Sequence, residues 1–175
     1  MPTTGPGPFT TERLDALPLD PAYADEMAAV LADPVLYVFT GGGPPDPVAL
    51  RARYERQTAG SPDPGERWWN WVLRVRADGR LVGYVQATVR GSCAEIAWVV
   101  GVPWQGRGYA AEAAKGLAAH LWSAGGVRTL VAHIHPGHAA SGAVAAAAGL
   151  APTGERREED GEQRWTGCAP RPPVL

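Results

Sequence analysis

Val99-Val100-Gly101-Val102-Pro103-Trp104-Gln105-Gly106-Arg107-Gly108-Tyr109-Ala110-Ala111-Glu112-Ala113 decides how this chain folds. An apolar run meets a proline, passes through a Gly-Arg-Gly turn and opens into an alanine-rich segment. That order describes a strand, a turn and the N-terminus of a helix. Glycines let the backbone approach an anion, and the first N–H groups of a helix have no partner inside it. The stretch is therefore a place to hold a phosphate, and a phosphorylated cofactor is expected here.

Outward from this turn the elements follow in both directions. Upstream, Trp68 to Arg76 reads as a strand, Asp78-Gly79 as a hairpin turn, and Leu81 to Val89 as the returning strand. Gly91-Ser92 turns again into the strand Ala94 to Val102. Further back, residues 1–10 read as a flexible lead-in and Arg13 to Leu19 as a short first strand. Asp20-Pro21 starts a helix with the apolar stripe Met27, Val30 and Leu31, which Asp33-Pro34 ends. Gly41 to Pro47 is a loop, and Val48 to Ala59 is a second helix. Downstream, Gly108 to Ala124 is a long helix closed by Gly125-Gly126. Thr129 to His135 is a strand, Ala139 to Ala148 a helix, and Thr153–Arg157 with Gln163–Thr166 a last hairpin. The order β-α-α-β-β-β-α-β-α-β-β predicts one α/β (α+β) domain over 11–168 with a short tail from 169. Its central sheet is mixed, mostly antiparallel and flanked by helices.

Composition restricts the partners. The chain has 175 residues with a net charge of −2, so no bulk field draws it to nucleic acid or anionic lipid. Its two cysteines, Cys93 and Cys168, make no disulfide framework and match no metal spacing. No apolar run approaches the ~18 residues of a membrane span, and residues 1–6 lack the features of a signal peptide. A cytoplasmic protein is expected, with no nucleic acid or membrane partner.

Three readings of the glycine turn compete. Gly106-Arg107-Gly108-Tyr109-Ala110-Ala111 fits G-x-G-x-x-A, but a dinucleotide fold needs an acid about 20 residues on. No Asp or Glu lies between Glu112 and Glu155, and three antiparallel strands precede the turn. A phosphate-binding loop of the Walker type fails because no Gly-Lys-Ser/Thr follows. A turn that merely joins a strand to a helix is the second reading. The third is a resemblance. Gln105-x-x-Gly108-x-Ala110, placed between a strand and a long helix, resembles the pyrophosphate-binding motif of the GNAT superfamily of N-acetyltransferases. Thr11-Glu12-Arg13-Leu14, Ala94 to Val100 and His135-Pro136-x-His138-x-x-Ser141 extend the likeness over most of the chain. The branch it most resembles acetylates ribosomal-protein N-termini and small amines.

The resemblance implies a GNAT-like acyl-CoA N-acyltransferase fold and direct transfer of an acetyl group from acetyl-CoA to a primary amine. It implies that Gln105, Gly106, Arg107, Gly108, Tyr109 and Ala110 hold the CoA pyrophosphate. Val100 and Val102 would pair with the pantetheine arm as with an added strand. His138 and Ser141 would also contact the cofactor. A free amine is mostly ammonium near neutral pH, so a group must accept its proton. Glu95, alone in an apolar strand, is the candidate base, with an exposed strand end as the alternative. Backbone N–H groups near Val99 and Val100 suit a developing oxyanion. Many relatives have a tyrosine that protonates the thiolate at the position of Ala145. Here that residue is missing, and Ser141 is the candidate for the task, with a plain helix cap as the alternative.

His133-x-His135-x-x-His138 raises a metal reading, but no further ligand cluster lies nearby in sequence, and no metal is expected. Trp68, Trp69, Trp71, Trp98, Trp104, Trp122 and Trp165 are core or cleft walls. Tyr37, Phe39 and Gly41 to Pro47 occupy the region that shapes acceptor choice in the family. The favoured acceptor is a small-molecule amine, the alternative a protein or peptide N-terminus. A non-catalytic acyl-CoA-binding module and a histidine-metal enzyme remain as other classes. A homodimer is compatible with the chain.

Overall fold

The computed structural model describes residues 5–124 and 126–171. Eight strands form one sheet in the order β1-β2-β3-β4-β5-β6-β8-β7. They are β1 (Phe9–Thr10), β2 (Leu14–Pro18), β3 (Glu66–Val75), β4 (Leu81–Arg90), β5 (Cys93–Val100), β6 (Thr129–Ile134), β7 (Ala151–Arg156) and β8 (Gln163–Cys168). The helices are α1 (Ala24–Val30), α2 (Pro47–Ala59), α3 (Tyr109–Ala124) and α4 (Ala139–Ala147). Neighbouring strands are antiparallel except β5 and β6. The mixed, mostly antiparallel sheet is the one expected.

Two details differ from the sequence reading. Phe9 and Thr10, expected in the lead-in, pair with Ala16 and Asp15. Phe9 is buried against Trp71 and His120, so an aromatic anchor holds the segment to the sheet. β5 stops at Val100 rather than Val102, and Val102–Trp104 form a 3₁₀ turn. Pro103 has no N–H to offer a ladder, which favours the turn. The expected cap at Gly125 and the outermost residues of both termini lie outside the described residues.

Sheet alternation separates two cores. On one face, Leu73, Val85, Ala87, Ile96, Leu130 and Ala132 pack with Leu117 and Leu121 of α3 and Ala145 of α4. On the other face, Val72 packs with Met27 and Val30 of α1 and with Leu50 and Tyr54 of α2. Asp20 caps the 3₁₀ turn Pro21–Tyr23 that leads into α1 by accepting from Ala22 N–H, and Asp46 caps α2 by accepting from Ala49 N–H, each with proline in the next position. The helices α1 and α2 cover β3 and β4, while β5 and β6 keep an open second face. Among the described residues no helix is long and apolar enough to cross a membrane. Cys93 and Cys168 are free thiols.

Candidate active site

The parallel pair β5–β6 is short. Cys93, Ala94 and Glu95 pair with Thr129, Leu130 and Val131, and the pairing stops there although both strands continue. Beyond Glu95 the strands diverge. The bond from Gly101 N–H to the Val82 carbonyl fixes the alternation along β5. Ala97 and Val99 spend their backbone groups on β4, so those of Trp98 and Val100 face the gap. Gly83 sits beside this point, and a Cβ there would lie 2.1 Å from the Val99 carbonyl oxygen. No other residue fits between the two strands at that level.

The divergence opens a cleft of about 670 Å³. Its lining includes Trp98, Val100 and Ile134 from the parted strands, Tyr109 and Ala110 from α3, and Ser141 and Val144 from α4. Tyr84, Gln86, Tyr37 and Phe39 line the opposite side. Phe39 packs on His138 at 4.4 Å and on His135 at 5.1 Å between ring centroids, which ties the loop after α1 to the start of α4 across the opening.

The glycine turn stands at the head of the cleft. Gly106 and Gly108 have φ of +75° and +82°, a left-handed backbone that costs an L-residue about 1–2 kcal/mol. With this geometry the N–H groups from Gly106 to Ala111 have no acceptor among the described residues. They form an anion-binding concavity continuous with the N-terminus of α3. The Gln105 side chain donates to the Val100 carbonyl at 2.9 Å and joins the turn to the strand end.

A group that the sequence reading passed over supports this turn. The Glu112 carboxylate accepts from Thr11 Oγ1 at 2.6 Å, from Arg13 N–H at 2.7 Å and from Arg13 Nε at 2.7 Å. Arg13 in turn donates to the Arg107 carbonyl at 2.9 Å and lies over the Tyr109 ring. Burial pushes the Glu112 carboxyl up, but the bonds from Thr11 and Arg13 outweigh it and hold the group below the usual carboxylate range. The signal in the sequence was Arg13 within Thr11-Glu12-Arg13-Leu14 and an acid in the first turn of a helix.

The remaining candidates separate. Gln105, Gly106, Gly108, Tyr109, Ala110, Val100, His138 and Ser141 all line the cleft. Val102 does not; it sits in the 3₁₀ turn with its carbonyl taken by Gln105 N–H. The Arg107 side chain is also outside the lining, its backbone carbonyl serving as the anchor for Arg13. Glu95 is set apart from these residues. It precedes the divergence, is 48% exposed and does not line the cleft. Its Oε1 instead meets His133 Nδ1 at 3.0 Å and Arg157 Nη1 at 3.8 Å. His133, from the histidine motif for which no metal is expected, lines the cleft. The three histidines of that motif have separate tasks: His135 Nδ1 accepts from Gly137 N–H, and His138 Nδ1 caps α4 by accepting from Ser141 N–H. Ser141 Oγ lies 3.5 Å from His138 Nε2. Ala145 is fully buried, with no access to the cleft.

A short parallel pair thus splits the sheet, and a turn with free N–H groups stands at the head of the split. The model of the acetyltransferase (GNAT) domain matches residues 13–151, and the chain belongs to the GNAT acetyltransferase family. It is an acetyl-CoA-dependent N-acetyltransferase. No curated protein matches it by sequence. Among solved structures it is similar to a GNAT-family acetyltransferase from Bacillus anthracis at 16% identity, with a TM-score of 0.77 over 91% of this chain and 95% of that one. It is similar to the ribosomal L7/L12 alpha-N-protein acetyltransferase RimL at 13% identity, with a TM-score of 0.77 over 93% and 94%. A third is the Microcin C7 self-immunity acetyltransferase MccE, solved with acetyl-CoA and AMP, at 14% identity and a TM-score of 0.76 over 90% and 93%.

Proposed function

We propose that this enzyme acetylates a primary amine of a small molecule by direct transfer within a ternary complex. The observation that carries the reading is the divergence of β5 from β6, with the turn's free N–H groups at one end and an open second face beyond. The backbone from Gly106 to Ala110 holds the pyrophosphate. The free edge of β5 at Trp98 and Val100 takes the pantetheine amides as a neighbouring strand would. This sets the thioester beside the open face, where the acceptor arrives. Transfer joins the amine nitrogen to the acetyl carbon, breaks the carbon–sulfur bond and releases CoA thiolate.

His133 is the base in this reading. The Glu95 carboxylate accepts a hydrogen bond from His133 Nδ1–H, which leaves Nε2 of the neutral imidazole as the proton acceptor. Glu95 is thus a positioning residue rather than the group that meets the amine. A free N–H of the open β5 edge stabilises the oxyanion. Ser141 faces the departing sulfur. His138 Nδ1 is an acceptor from Ser141 N–H, which puts the His138 proton on Nε2, on the side of Ser141 Oγ.

Thiol release across a panel of amines tests the reading. Turnover that depends on an amine supports it, and acetyl-CoA binding without turnover over the whole panel overturns it. His133→Gln should lower kcat by about 10²-fold or more and remove the acid limb of its pH profile. Glu95→Gln should cost less and keep that limb. If Glu95→Gln removes the limb and His133→Gln does not, the base has been misassigned.

A further inference from the structure

A second, smaller cavity of about 60 Å³ lies under α2, next to the cleft. Tyr84, Gln86 and Leu31 belong to both linings, so the two spaces adjoin. The cavity has room for several water-sized groups, well above the ~10–15 Å³ that one requires. Its polar lining is Arg53, Tyr54, Gln57, Asn70, Tyr84 and Gln86, and it contains no carboxylate. Asn70 and Gln86 are directly paired across β3 and β4, so their amides sit side by side on its floor.

Two of these groups have no use inside the protein. Tyr54 is only 5% exposed, yet its hydroxyl has no hydrogen-bond partner. A buried hydroxyl left in that state is a donor that a ligand would satisfy. Arg53 sits at the mouth on the exposed side of α2 and makes neither an ion pair nor a hydrogen bond among the described residues. Arg51 and Arg74 nearby are paired, with Asp25 and Asp15, whereas Arg56, farther along α2, is outside the cavity lining. Burial pushes the phenols of Tyr37, Tyr54 and Tyr84 up, while Arg53 pulls each of them down. The guanidinium therefore reaches the field of all three hydroxyls.

We infer that this cavity recognises an acidic group on the acceptor, so that the substrate is a small amine that also carries a carboxylate or phosphate. Arg53 supplies the charge, Tyr54 the buried O–H donor, and the amides of Asn70 and Gln86 the remaining contacts. The proposal rests on the reading of the cleft as the acetyl-transfer site. Strands are about 4.8 Å apart, and the cavity floor is one to two strands from β5, so amine and acid are separated by about 5–10 Å. A polyamine, with cationic groups at both ends, finds no counter-charge in this lining.

The test uses γ-aminobutyrate and ε-aminocaproate against their primary amides, and aminoalkyl phosphates against the parent amino alcohols. Thiol release gives kcat/KM for each, and calorimetry on the CoA-saturated protein gives binding without turnover. The acid should exceed its neutral partner at least tenfold in both readouts. Arg53→Met should bring that ratio close to one, Tyr54→Phe should reduce it severalfold, and Arg56→Met on the same helix should leave it unchanged. Which acid leads, carboxylate or phosphate, identifies the source of the charge. Equal affinity of acids and neutral partners overturns the inference, as does a ratio that survives Arg53→Met. Acids that bind selectively but are never acetylated leave the anion site standing and remove the transfer reading instead.

Discussion

Glu112→Ala sets two effects of opposite sign against each other. The carboxylate lies in the first turn of α3, below N–H groups that are to hold a pyrophosphate. If simple charge were decisive, its removal would tighten CoA binding by about 0.5–1 kcal/mol, the usual scale for a charge at a helix end. The structure argues for the reverse. The bonds from Thr11 and from Arg13 N–H are short and reach a largely shielded carboxylate, and each is worth about 1.5 kcal/mol or more. The Arg13 guanidinium is 42% exposed, so its ion pair adds no more than about 1 kcal/mol. The sum is about 3–4 kcal/mol, which for a chain of this size lowers Tm by roughly 6–15 °C. Release of Arg13 also frees the Arg107 carbonyl and loosens the turn, so CoA should bind several-fold more weakly. Thermal unfolding with and without acetyl-CoA, together with calorimetry, reads both quantities. A Tm within about a degree of the parent, or tighter CoA binding, would refute the keystone role assigned to Glu112.

Other outcomes follow from the same geometry. Gly108→Ala forces an L-residue to a φ of +82° and brings its Cβ within 3.3 Å of Arg13 Nη2, so calorimetry should show CoA affinity reduced about tenfold. Ala145→Tyr, which restores the residue many relatives carry, should not raise kcat. The site is fully buried, so overpacking should cost about 1–3 kcal/mol or more in urea unfolding. The depressed Glu112 carboxyl also makes a pH prediction. Its contribution is complete above the unfolded value of about 4.3 and is lost as pH falls through the lower folded value. The stability gap between the parent and Glu112→Gln should therefore be flat above about pH 5 and shrink only below about pH 4.3.

The order of elements was legible because breakers mark it: Asp20-Pro21, Asp33-Pro34 and Asp78-Gly79 each stand where the structure caps or turns. The glycine turn at the head of the cleft was also legible, since its N–H groups are local and need no distant partner. β1 was not, because two residues carry no periodicity and Phe9 is held by contacts with Trp71 and His120 far along the chain. The same distance hid the chemistry of Glu95. Nothing local says that it meets His133, which the register of β5 on β6 brings beside it. The cavity under α2 was hidden for a further reason. Its residues come from α2, β3 and β4 and share no spacing, and each alone reads as an ordinary amide or phenol.

The two separate cores have a consequence for how this chain can change. On the proposed reading, cofactor binding draws on α3, α4 and the core beneath them, while the acceptor meets α1 and α2, which pack into their own cluster. Apart from Phe39 and Trp104, which touch both sides, a substitution in the second set leaves the first one's packing untouched. Selectivity for a new amine can therefore drift without passing through a protein that has lost its donor, and the open half of the sheet can explore partners at little risk to the fold.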